Sequence, residues 1–248
     1  MTEIASHRGG ALIWPENSPT AFHGTTDLAV EQVEFDVHPT RDGRLVVIHD
    51  ATVDRTTDGT GRVCEIDWAA LAQLRLKGTG ADRIPLLDEV IEIFRPTPIG
   101  LRIEIKPDAN GRRYPGIEAE VLNALRRHHV LERTVVTSFQ LATLAEVTRQ
   151  AAPRDLIWLV AQPVLRDLPH IADLLGLARA SGAGALGLHV RQADAEMVDA
   201  CRDAGIGVGC YGCGDEAAIA HALALGVDVF TTDRPDIALD LRARRNAA

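Results

Sequence analysis

Short β-branched apolar runs alternate with longer stretches of helical spacing along the chain, and the alternation repeats eight times. The runs cover 4–7, 33–37, 101–106, 134–138, 156–161, 185–189, 206–211 and 227–232. Helix punctuation stands between them. Ser18-Pro19 offers a cap followed by proline at the first helical position, ahead of Ala21, Phe22 and Leu28. Leu141, Leu144, Ala145 and Thr148 follow the i, i+3, i+4, i+7 rhythm, with Ser138 placed to cap them. Asp194 is placed to cap a helix ending at Gly205 and Asp215 one ending at Gly226, while Pro235 opens the last helical segment.

Eight strand-then-helix units in 248 residues predict a single-domain parallel (β/α)8 TIM barrel spanning residues 1–248. The strands read as apolar on both faces, as parallel strands do when helices cover them. A doubly wound sheet would usually carry a glycine-rich phosphate turn, and no G-x-G-x-x-G follows the first run. One stretch, about 40–85, breaks the repeat. It begins with the turn signal Arg41-Asp42-Gly43-Arg44 and continues through Thr56-Thr57-Asp58-Gly59-Thr60-Gly61, which predicts an inserted hairpin and loop over one end of the barrel. Loops of this length are often functional.

Composition narrows the class. Hydrophobic residues at 46% and charged residues at 25% are globular values. The net charge of −9 argues against nucleic acid or an anionic membrane surface as partner. No apolar run is long enough to span a bilayer, and Met1-Thr2-Glu3-Ile4 lacks the basic-then-apolar start of a secretory signal, so a cytoplasmic protein is expected. Ten aromatic residues leave little for a site built by stacking sugars or bases. Of four cysteines only Cys210 and Cys213 are patterned. Lacking a second pair, they read as small apolar side chains in a reduced protein.

Barrel chemistry sits where strands end. His7 and Arg8 close the first strand, Glu34 and Asp36 the second, Glu104 and Lys106 the third, and His49-Asp50 ends the inserted hairpin. Strand alternation points Glu34 and Asp36 the same way, and likewise Glu104 and Lys106, so three carboxylates converge. Such groups repel unless compensated, and a hard divalent cation, Mg²⁺ or Ca²⁺, is the simplest compensation. Pairing with Arg8, Lys106 or helix N-termini is the structural alternative. His7 and His49 are candidates for an acid/base pair, because imidazole is the side chain whose unperturbed pKa lies near neutrality, and Arg8 and Lys106 suit an anionic, phosphorylated small molecule.

The motifs together resemble the glycerophosphodiester phosphodiesterase family. They run in order as His7-Arg8-Gly9, Pro15-Glu16-Asn17-Ser18, Glu34-Phe35-Asp36-Val37, Thr40-Arg41-Asp42-Gly43, Leu45-Val46-Val47-Ile48-His49-Asp50, Asp54-Arg55-Thr56-Thr57-Asp58-Gly59-Thr60-Gly61, Ile84-Pro85-Leu86-Leu87-Asp88-Glu89, Ile103-Glu104-Ile105-Lys106 and Thr232-Asp233-Arg234-Pro235. The resemblance implies a barrel enzyme that hydrolyses a phosphodiester to sn-glycerol 3-phosphate and an alcohol with a bound divalent cation. It implies Glu34, Asp36 and Glu104 as metal ligands, His7 and His49 as the acid/base pair, and Arg8 and Lys106 as phosphate contacts. Glu16 matches the family's acidic residue after the first strand, a site-ordering or substrate-side group. Where the family commonly has Trp-Thr-Val-Asn, this chain has Tyr211-Gly212-Cys213-Gly214, which implies a smaller and less polar wall near the leaving group.

Rival functions are a different small or sugar phosphodiester as substrate, a reaction that stops at a cyclic phosphate as in phospholipase D-like enzymes, and a non-catalytic phospho-ligand-binding barrel. A retaining glycosidase using Glu34 and Glu104 would leave Arg8, Lys106 and both histidines without a role.

Overall fold

The computed structural model describes residues 1–168 and 170–247. Nine strands form one sheet: β1 (Glu3–His7), β2 (Gln32–Pro39), β3 (Leu45–Val47), β4 (Gly100–Ile105), β5 (Thr134–Ser138), β6 (Asp155–Leu159), β7 (Ala185–His189), β8 (Gly207–Tyr211) and β9 (Val229–Thr232). Eight of them pair in parallel, and β1 joins both β9 and β2, so the sheet closes into a barrel. β3 lies outside the closure as an antiparallel partner of β2. The eight strands coincide with the eight predicted runs to within a few residues at their ends. Helices follow the strands and cover the outer face, where Phe22, Phe35, Phe94, Leu101, Ile103 and Phe230 form part of one continuous core. No helix among the described residues is long and apolar enough to cross a membrane.

Local chemistry sets three of the helix starts. Ser18 accepts the N–H of Ala21 ahead of Pro19–Thr26, Asp194 that of Met197, and Asp215 that of Ala218. The helix of Glu216–Leu225 ends on Gly226 in the left-handed region, as predicted. Ser138 departs from its expected role. Gln140 occupies the cap position of Leu141–Gln150; the Ser138 hydroxyl accepts the Gln140 N–H at 3.2 Å and donates to the Ile105 carbonyl, tying β5 to the end of β4.

The insertion is a hairpin followed by a packed loop. β2 and β3 pair through Val37, His38 and Pro39, and Gly43 takes φ +77° at the turn. Val46, Ile48, Val53, Val63, Leu71, Leu76 and Ile84 form a separate small core beneath the loop, which holds the 48–85 segment against the barrel mouth.

Alternation determines what fills the barrel. Small or apolar side chains, Ala5, Ile157, Leu159, Ala185 and Val229, line one side of the interior. The β2 and β4 side is polar: Gln32, Glu34 and Asp36 face the interior with Arg102, Glu104 and Lys106. Arg102 lies buried below the carboxylates and donates Nε–H to Gln32 at 2.8 Å. Burial without an ion pair pushes its guanidinium down to about 10.

Candidate active site

At the C-terminal mouth of the barrel a cavity of about 310 Å³ is lined by His7, Arg8, Glu34, His49, Glu104 and Lys106, together with Phe139, His189 and Tyr211 from the far strands. The acids come from neighbouring strands in register, Asp36 beside Glu104, so that one oxygen from each of Glu34, Asp36 and Glu104 lies within 4.8 Å of the others. All three are buried.

The compensation of these charges is uneven. Asp36 is held from three sides: Asn17 Nδ2 donates at 2.9 Å, Arg8 Nε lies 3.3 Å away and Lys106 Nζ 3.0 Å away. Burial acts to raise its carboxyl, but Lys106 and Arg8 outweigh burial and hold it far below the carboxylate range. Glu104 Oε1 pairs with Lys106 at 2.7 Å. Glu34 has only the Arg8 backbone N–H at 3.2 Å and His7 Nε2 at 3.8 Å. Burial, with Asp36 as a like-charged neighbour, pushes its carboxyl up to about 7. A buried acid that protein cations leave uncompensated, within an oxygen-only triad, fits a hard divalent cation better than zinc.

The loop after β1 is strained where it serves this cluster. Arg8 and Asn17 both adopt left-handed backbone, φ +50° and +51°, and the Arg8 carbonyl accepts the Asn17 N–H at 2.9 Å. That conformation aims the Arg8 side chain and Asn17 amide at Asp36 together.

Each histidine is backed by a carboxylate. His7 Nδ1 lies 2.6 Å from Asp233 and His49 Nδ1 2.6 Å from Asp50, so each Nδ1–H is directed at an acid and each Nε2 is left for other contacts. Burial acts to lower the His7 pKa, but the Asp233 hydrogen bond and the charge of Glu34 outweigh it and raise the ring above its ordinary value. Asp50 is pulled down to about 2, chiefly by its hydrogen bond from Arg55. Arg55 grips Asp50 and both oxygens of Glu16, and Arg8 Nη1 donates to Glu16 at 3.0 Å. Glu16 therefore bridges two arginines rather than facing the cavity.

Asp233, Asn17 and Arg55 sit inside motifs visible in the sequence, yet their tasks depend on partners distant along the chain. His38 carried no sequence signal at all. It is buried, donates Nε2–H to the His49 carbonyl at 3.0 Å and pairs through Nδ1 with the Tyr114 hydroxyl at 3.1 Å. Burial lowers its pKa to about 4 and keeps it neutral, so it anchors the His49 loop as an uncharged tie.

The far wall is built of Phe139, Leu159, Tyr211 and Gly212 with one imidazole, that of His189. Tyr211 packs edge-to-face with Phe139 at 5.7 Å and with His189 at 5.2 Å. Gly212 leaves room that the His189 imidazole fills. Cys210 and Cys213 are buried free thiols behind this wall, which accords with the small-apolar reading, and burial pushes Cys210 up to about 12. Among the described residues, Glu34, Asp36 and Glu104 alone form a group able to share a metal ion.

The fold and site define a parallel β/α barrel of hydrolase type, with paired imidazole–carboxylate units beside a carboxylate triad able to hold a metal ion. Residues 7–237 match the model of the glycerophosphoryl diester phosphodiesterase family. The chain is 31% identical to a glycerophosphodiester phosphodiesterase of Caldanaerobacter subterraneus over 97% of both chains, and 32% identical to one from Bacillus altitudinis over 98% of both. An Agrobacterium tumefaciens protein of known crystal structure, provisionally given the family's name, superposes with a TM-score of 0.97 at 38% identity over 100% of each chain. The chain belongs to the glycerophosphoryl diester phosphodiesterase family.

Proposed function

We propose that this protein hydrolyses a glycerophosphodiester to sn-glycerol 3-phosphate and an alcohol, with Mg²⁺ or Ca²⁺ held by Glu34, Asp36 and Glu104. The observation that carries the reading is the shared cavity, in which His7 and His49, each oriented by its own acid, flank the buried triad. The bound cation supplies Lewis-acid stabilisation of charge on the phosphoryl oxygens.

The protein's own groups do the rest. Arg8 and Lys106 border the cavity and stabilise charge on the non-bridging oxygens while ordering the triad. One imidazole Nε2 withdraws a proton from the nucleophile and the other delivers one to the leaving alkoxide; Asp233 and Asp50 hold the rings in the tautomer this requires and stabilise each imidazolium as it forms. Glu16 orders the site by bridging Arg8 and Arg55. The insertion belongs to the same catalytic unit, residues 1–248, because it contributes His49, Asp50 and Arg55.

The test is enzymatic measurement of sn-glycerol 3-phosphate released from glycerophosphodiesters, with and without EDTA. Release that EDTA abolishes and Mg²⁺ or Ca²⁺ restores is expected; release unaffected by chelation, or no release from any glycerophosphodiester, would overturn the reading.

A further inference from the structure

The carboxylates and both catalytic histidines occupy one side of the barrel mouth. The opposite side has no assigned task. In a closed sheet of eight, β7 stands across from β2, so His189 at the end of β7 faces the Glu34 and Asp36 strand over the same cavity. Phe139, Leu159, Tyr211 and Gly212 complete this wall.

Most polar groups on the wall are already engaged. The Tyr211 hydroxyl donates to the Val160 carbonyl at 3.0 Å, and the Thr231 hydroxyl to the Cys210 carbonyl at 3.4 Å. The Thr137 hydroxyl has no partner, but it is buried beside Glu104, its register neighbour on β4, and so belongs to the triad side.

His189 is different. Its Nδ1 accepts the Arg191 backbone N–H at 3.3 Å, which places the proton of the neutral ring on Nε2. Burial, aided by the Arg191 charge, lowers its pKa and favours that neutral form. Nε2 has no hydrogen-bond partner among the described residues. Edge-to-face packing on Tyr211 fixes the ring plane, 90° between the two.

Gly212 makes the arrangement possible. Its φ is +80°, and a Cβ there would come within 2.8 Å of His189 Nε2. Glycine at 212 and histidine at 189 thus form a matched pair: the space a Cβ would take at 212 is filled by the His189 ring, with Nε2 nearest.

We propose that His189 is the specificity-determining residue of a second subsite, where its Nε2–H holds a hydroxyl of the released-alcohol arm. The inference rests on the glycerophosphodiester reading and deepens it. In this arrangement the glycerol arm stays beside the catalytic histidines and the alcohol arm crosses the cavity to this wall. An arm with a distal hydroxyl gains a hydrogen bond there, and an alkyl arm leaves the donor without one. The aromatic rings beside it pack on the carbon skeleton.

The experiment compares kcat/KM for glycerophosphoglycerol and glycerophosphopropanol, which share the glycerol arm and differ in the hydroxyls of the other. The wild-type protein should prefer the glycerol-armed diester by about 3- to 10-fold, the size of one neutral hydrogen bond. His189→Phe keeps an aromatic ring and removes the donor, so the ratio should fall to near one, with the larger loss on glycerophosphoglycerol. His189→Ala carries the same expectation and covers the case in which phenylalanine crowds Gly212. His189→Gln, which restores an N–H donor, should recover part of the preference, whereas a merely structural role would lower both substrates equally. A ratio unmoved in both donor-less variants, or near one in the wild type, would overturn the subsite while leaving the glycerophosphodiesterase reading intact. Wild-type protein that cleaves neither diester would overturn both.

Discussion

Asp233 is the residue on which the orientation of His7 depends most directly, and Asp233→Asn tests that dependence with little change in volume. The native contact is 2.6 Å between Nδ1 and a carboxylate oxygen, with Asp233 26% exposed at its side chain. A charge-assisted hydrogen bond of this kind is worth about 1.5–3 kcal/mol. At 1.36 kcal/mol per decade, full loss of that contribution in the transition state lowers kcat by about 10- to 150-fold. Asparagine adds a second effect: its amide can donate to Nδ1, which moves the ring proton to Nε2 and leaves His7 unable to accept a proton there. The fold should survive, because a partly exposed pair contributes only about 1 kcal/mol or less to stability. Release of sn-glycerol 3-phosphate under saturating substrate gives kcat, and thermal unfolding monitored by circular dichroism gives the control. A correctly folded Asp233→Asn variant with kcat within about twofold of wild type would refute the orienting role.

Further expectations follow from the same geometry. His7→Ala and His49→Ala should each lower the rate by on the order of 10²–10⁴ with the fold retained, and full activity in either variant removes that histidine from the mechanism. Glu34, raised from 4.5 to about 7, holds a proton in the ion-free folded protein across that window, where the unfolded chain has already released it. Stability of the ion-free protein therefore falls as pH rises from about 4.5 to 7. A divalent cation needs the carboxylate, so its affinity should rise with pH up to about 7, with proton release; calorimetry in two buffers of different ionisation enthalpy reads the proton, and a pH-independent affinity between 5 and 7 is the contrary result. Leu71→Ala empties a fully buried position in the small core under the insertion and should destabilise the protein by about 2–5 kcal/mol in denaturant titrations; a loss below about 1 kcal/mol would show that this core does not hold the loop.

Much of this protein is legible without coordinates because period and punctuation are local properties. The two-residue spacing of Glu34-Phe35-Asp36 and of Glu104-Ile105-Lys106 is enough to send the charged residues to one side and the apolar residues to the other, and the closed barrel keeps that division. Asp194 and Asp215 act within three residues of themselves, so their capping roles need no tertiary knowledge. Ser138 shows the limit: its oxygen accepts the nearby Gln140 N–H, but its O–H goes to the Ile105 carbonyl, a partner that only the position of β4 supplies.

The ordered motifs, read together, were enough to indicate the family and its barrel, since alternation, strand-end chemistry and turn signals are all written in neighbouring residues. Tertiary structure alone decided which acid serves which base and which charge is compensated. His7 meets Asp233 across 226 residues of sequence because barrel closure sets β1 beside β9, and His38 reaches Tyr114 because the loop after β4 folds back over the end of β2 behind His49. Asp36 and Glu34, two residues apart and chemically alike, are driven in opposite directions because Lys106, Arg8 and Asn17 gather around one and not the other. Such differences depend on distances of a few ångströms between remote segments, and a one-dimensional pattern holds no record of them.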